Sequence, residues 1–150
     1  MNSNQKYISS VKDMSVILLA EGKTVRIKAH GYSMFPAIKP GSLILIEPLQ
    51  QKGRPVPGEI VAIRRENGIV VHRVTRRIVK DGVTWYVTRG DSNSSSDKPV
   101  KIEQIAGRII KSEATGENPE AADVRIRTNT NYFFNRIRVI VIFIVKKIKG

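Results

Sequence analysis

Two dipeptides constrain the middle of this chain more than anything else in it. Asn67-Gly68 and Asp81-Gly82 each lie between β-patterned runs. Asx-Gly in that setting is a strong signal for a two-residue hairpin, because both turn residues must take positive φ. The flanking runs are Ile60 to Arg65, Ile69 to Val79 and Val83 to Arg89, rich in Val, Ile, Thr, Trp and Tyr. Residues 59–89 are therefore expected to form a three-stranded antiparallel meander.

The rest of the chain extends that sheet. Ile8, Val11, Met14/Ser15 and Leu18 follow helical spacing, so Tyr7 to Glu21 reads as a short helix stopped at Gly22. Thr24 to His30 alternates, with Val25, Ile27 and Ala29 on one face. Leu43 to Ile46 is continuously apolar, the pattern of a strand buried on both faces. Between them Gly31 to Gly41 is a loop with two prolines. Ile105 to Ile110 supplies another strand. The segment after it carries Gly116 and Pro119 and reads as a linker, beyond which Val124 to Arg127 is a candidate to rejoin the sheet. The organisation expected is an N-terminal helix over 1–22, a core over 23–111, a linker over 112–122 and a basic, apolar tail over 123–150.

With 150 residues the chain suits one domain. It has no cysteine, which excludes disulfides and thiolate metal sites, and no cofactor or metal is expected. Lys and Arg number 26 against 13 acids, a formal net charge of +13 that favours anionic partners. The apolar runs Val16 to Ala20 and Val139 to Val145 are both short of the roughly 20 residues of a spanning helix. No signal peptide is recognised, so a cytoplasmic or membrane-peripheral location is expected.

Three short segments carry chemistry-bearing residues. Gly31-Tyr32-Ser33-Met34-Phe35-Pro36 lies in the loop, Val71-His72-Arg73-Val74 on the meander, and Gly90-Asp91 with Asp97 just after it. Taken singly, each has a plain structural reading: a turn serine, a satisfied strand histidine, a turn aspartate. Ser92, Ser94, Ser95 and Ser96 read as a flexible polar loop, and Met34 and Phe35 as apolar anchors or part of a pocket wall. His30, three residues before Ser33, is the rival base, although its alternation puts it with Arg26 and Lys28 on the polar face.

Taken in order, these segments resemble signal peptidase I and its relatives, a superfamily that includes the SOS-type repressor peptidases. Gly31, Ser33, Met34 and Pro36 match the Gly-x-Ser-Met-x-Pro nucleophile box. Gly58-Glu59-Ile60-Val61 resembles the family's Gly-Asp-Ile-Val strand, His72-Arg73-Val74 the box of the general base, Gly90-Asp91 with Asp97 the acidic box, and Ala106-Gly107-Arg108 the closing Gly-Arg. The resemblance covers about residues 22–110. It implies a mainly β, antiparallel peptidase fold with a short N-terminal helix, Ser33 as nucleophile and His72 as base. A carboxylate would orient the imidazole, Asp97 by the family spacing with Asp91 as the other candidate. The Ser33 backbone N–H would be the first oxyanion donor. Gly31 stands where many signal peptidases carry a serine that also serves the oxyanion, and the N-terminal membrane span of those enzymes has no counterpart here.

The expected function is a serine endopeptidase acting on a peptide or protein substrate, such as an extended leader. A self-cleaving regulator is disfavoured, because too little chain precedes Ser33 for a DNA-binding domain. The alternative from another class is a non-catalytic basic β-barrel that binds RNA or an anionic membrane by charge. The tail has seven Lys/Arg and no acid from Val124 onward. Residues 132–149 mix aromatic, aliphatic and basic side chains, which suits an anionic membrane surface. A nucleic-acid partner is not expected, since no recognised binding motif is present.

Overall fold

The computed structural model describes residues 14–49, 53–66, 68–113, 121–122 and 131–149. The expected helical residues 7–13, the turn residue Asn67 and the candidate strand 124–127 lie outside them. Residues 14–20 form helix α1. It ends where Gly22, at φ +80°, lets the chain turn so that Lys23 N–H reaches Leu18 O at 2.9 Å.

The strands are β1 (Val25–Lys28), β2 (Leu43–Pro48), β3 (Ile60–Arg65), β4 (Gly68–Lys80), β5 (Val83–Arg89), β6 (Val100–Lys101), β7 (Ile105–Glu113) and β8 (Ala121–Ala122). They make one antiparallel sheet in the order β1-β2-β7-β3-β4-β5-β6, with β8 pairing on β7. β3, β4 and β5 form the expected meander. At its second turn Asp81 and Gly82 both have positive φ, 51° and 72°, the requirement that makes Asp-Gly the natural choice.

β3 is the strand buried on both faces. Ile60 and Ala62 enter one apolar cluster with Leu19, Met34, Ile44, Ile46 and others, while Val61 and Ile63 enter a second with Val74, Tyr86, Val100 and Ile105. The continuous apolar run of β2 alternates instead. Ile44 and Ile46 are buried, but Leu43 and Leu45 are only partly so. The reason is what covers each face: β3 has an apolar cluster on both, whereas Ile44 and Ile46 of β2 enter only the first.

β7 crosses β2 closely. A Cβ on Gly107 would stand 2.5 Å from the Glu47 carbonyl oxygen, so glycine is required there by contact. β7 also runs past the expected core boundary, and β8 returns to pair with Ser112 and Glu113, so part of the expected linker belongs to the sheet. Within the tail, Tyr132–Lys149 form helix α2.

Candidate active site

The loop over residues 31–42 is built as an extension of the β1–β2 hairpin. Ala29 N–H donates to Ser42 O at 2.7 Å and Gly41 N–H to Ala29 O at 2.9 Å, which closes its base. Inside it, Phe35 N–H reaches Tyr32 O and Ile38 N–H reaches Met34 O, at 3.0 and 2.9 Å. Met34 and Ile38 are buried in the first cluster and pin the loop from below. Each such burial is worth about 1.5–3 kcal/mol. Ser33 sits between these anchors, partly exposed, and the Phe35–Pro36 bond is cis. Gly31 has φ +81°, a left-handed conformation that a serine would adopt only with strain.

His72 lies on β4, buried, opposite Val61 of β3. Its Nδ1 is 2.6 Å from Asp97 Oδ2. Asp97 is itself fixed twice by Thr88: its N–H donates to Thr88 O at 2.8 Å, and Thr88 Oγ1 donates to Asp97 Oδ2 at 2.6 Å. Burial raises the Asp97 pKa, but hydrogen bonds from His72 and Thr88 and the nearby charges of His72 and Arg65 outweigh it. The carboxyl is held below its usual 3.8. A carboxylate accepting from Nδ1–H leaves Nε2 with a free lone pair.

Asp91 occupies a different place. Successive strand residues project to opposite faces, so Arg73 points away from His72. Its guanidinium grips Asp91 through Nε at 2.8 Å and Nη2 at 2.7 Å, and Nη1 donates to Gly58 O at 2.7 Å. Both side chains are almost fully buried. The structure thus gives Asp91 to Arg73 and Asp97 to His72. The reason is the pleat, which puts the two carboxylates on opposite sides of the sheet.

Ser33 is brought to the His72 side through Gly90. Arg89 pairs with Arg73. Carried one residue on, that register sets Gly90 opposite His72, and paired residues project to the same face. A Cβ on Gly90 would meet Ser33 O at 2.8 Å. The serine backbone therefore packs where a Gly90 side chain would stand. Ser92 holds it there: its N–H donates to Ser33 O at 2.9 Å, and its hydroxyl reaches Tyr32 O at 2.5 Å and Ser33 O at 3.2 Å. Among the described residues no hydrogen bond joins the Ser33 hydroxyl to His72. In ligand-free sites such bonds are often long and tighten when substrate is bound. His30 lies on the exposed end of the β1 segment, outside this arrangement.

Three residues that build the site carry no clear signal in the sequence. Ser92 reads as one serine of a flexible cluster but is buried and clamps the Ser33 loop. Thr88 and Arg73 fix the two aspartates. Their signal is the alternation on β4 and β5, which assigns faces only once the strand register is known.

No curated protein matches the chain. A protein-family model described as Peptidase S24-like matches residues 2–110, which contain Ser33, His72 and Asp97 together with strands β1 to β6 and the first six of the nine residues of β7. That match, with the mainly antiparallel fold, establishes that the chain belongs to the Peptidase S24-like family.

Proposed function

We propose that this protein is a serine endopeptidase in which Ser33 is the nucleophile, His72 the general base and Asp97 the residue that orients it. The observation that carries this reading is the 2.6 Å contact between His72 Nδ1 and Asp97, on the face of the sheet where the Ser33 backbone packs. A serine hydroxyl attacks a carbonyl poorly until a base takes its proton. With Nδ1–H given to Asp97, Nε2 is the atom that accepts it. The Ser33 Oγ–carbon bond forms, and charge gathers on the carbonyl oxygen. The Ser33 N–H, which donates to no acceptor among the described residues, is available to that oxyanion. As the peptide C–N bond breaks, the imidazolium gives its proton to the leaving amine. Water then attacks the acyl-enzyme by the same route. Asp97 remains a carboxylate throughout, stabilising the imidazolium.

The substrate class that fits is an extended peptide, such as a leader or a signal-like segment of a protein. The test compares wild type, Ser33→Ala and His72→Ala on extract and membrane fractions, reading new peptide N-termini by mass spectrometry. N-termini produced by wild type alone support the peptidase and give its preference. The same N-termini from Ser33→Ala would refute the assignment, and none from wild type in either fraction would favour a non-catalytic basic module.

A further inference from the structure

Helix α2 has two unlike faces. One docks on the protein beside the candidate active site. Asn135 is buried and its Nδ2 donates to Asp91 O at 3.1 Å; the Arg89 guanidinium stacks 3.8 Å from the Tyr132 ring centre; Lys146 Nζ donates to the Tyr32 hydroxyl at 2.6 Å; and the Phe143 and Tyr32 rings lie 5.0 Å apart. Burial, and then the Asp91 carboxylate, push the Tyr132 phenol pKa up. Tyr32 directly precedes Ser33, so the helix is fastened to the serine loop itself.

The opposite face is apolar and uncovered. At 3.6 residues per turn, Phe133, Phe134, Ile137, Val141, Ile144 and Ile148 fall on one arc of about a third of the circumference. All six are exposed, from 40 % for Ile137 to 78 % for Ile148. The same geometry puts Arg136 and Lys147 along one border of that arc, and Arg138 and Lys149 along the other. The helix contains no acid. No helix among the described residues is long and apolar enough to cross a membrane.

We propose that α2 lies in the plane of an anionic lipid surface, its apolar arc among the acyl chains and its bordering cations at the headgroups. An apolar stripe with cations on both borders is the pattern of an interfacial helix, and the net charge of +13 adds long-range attraction to anionic lipid. A second copy of the chain suits this face less well, since apposed arcs would bring rows of like charge together. In this orientation α2 separates the serine loop from the lipid by about one helix diameter, roughly 10 Å. Lipid binding stands whether or not Ser33 cleaves peptides.

The test uses the full chain and sedimentation with vesicles, either phosphatidylcholine alone or mixed with phosphatidylglycerol. Wild type and Ser33→Ala should bind the mixed vesicles equally, bind neutral vesicles far less, and lose affinity as salt rises. The double variant Ile137→Asp/Ile144→Asp, at exposed positions, should weaken binding about tenfold or more with an unchanged circular dichroism spectrum. Arg138→Glu/Lys147→Glu should weaken it while keeping the apolar arc. Absence of binding, equal binding to neutral vesicles, or wild-type binding by both variants would overturn the proposal. So would a dimer that the Asp variant dissociates, in a protein that ignores vesicles.

Discussion

At the scale of single residues, the two aspartates of the acidic segment should fail in different ways. Asp91 and Arg73 form a buried, two-pronged ion pair. Asp91→Ala leaves an unpaired guanidinium in the interior, and removing one partner of such a pair costs about 3–5 kcal/mol. Asp97 is less buried and holds the imidazole. Asp97→Ala should leave the fold largely intact while peptide cleavage falls about a hundredfold or more, the scale of a positioned general base. Thermal melts read beside cleavage rates separate the two; equal loss of stability in both variants would contradict the division of roles. The sign of the acid dependence follows from the lowered Asp97 pKa. Its stabilising contribution is fully present above the ordinary carboxylate value of 3.8 and is lost as pH falls through the lower folded value. The stability gap between wild type and Asp97→Ala should therefore narrow at strongly acidic pH.

At the scale of elements, the site is the docking of two loops, residues 31–42 and 90–97, on the rim of the β4–β5 hairpin. Gly90 is the point of contact. In Gly90→Ala the new methyl would meet Ser33 O and the Asn93 side chain, both at 2.8 Å. The Ser33 loop should shift, and cleavage should drop about tenfold or more with a smaller change in melting temperature, because displacing a reacting group by about 1 Å costs on the order of a hundredfold. Unchanged cleavage by Gly90→Ala would place the functional contact elsewhere. The elements themselves were unevenly legible. Asp-Gly and Asn-Gly locate the hairpins because positive φ is a local demand. Strands β6 and β8, two residues each, leave no periodic pattern. The double burial belongs to β3 and not to β2, since an apolar run does not say where in the sheet a strand will lie. The β-branched run Val139 to Val145 is as compatible with strand as with helix by composition, yet it forms the middle of α2. The pairing of Asp97 with His72 was legible only by resemblance to a family; the alternation that separates it from Asp91 needed the register of β4 on β5.

At the scale of the whole molecule, one continuous sheet supplies both a rigid base and two apolar clusters on either side of β3. The histidine is on a central hairpin and the serine on a loop pinned into the first cluster, so their separation of 39 positions (72 − 33) is spanned by folding alone. The chemistry then rests on whether that fold activates Ser33. The most direct measurement needs no substrate: treat the protein with a fluorophosphonate and locate the adduct by mass spectrometry. An activated serine attacks phosphorus, the P–F bond breaks, and the hydroxyl proton leaves with fluoride through the base. A single adduct on Ser33, lost in His72→Ala, is the expected result. Labelling spread over other serines, or an adduct on Ser33 that forms equally well in His72→Ala, would contradict it.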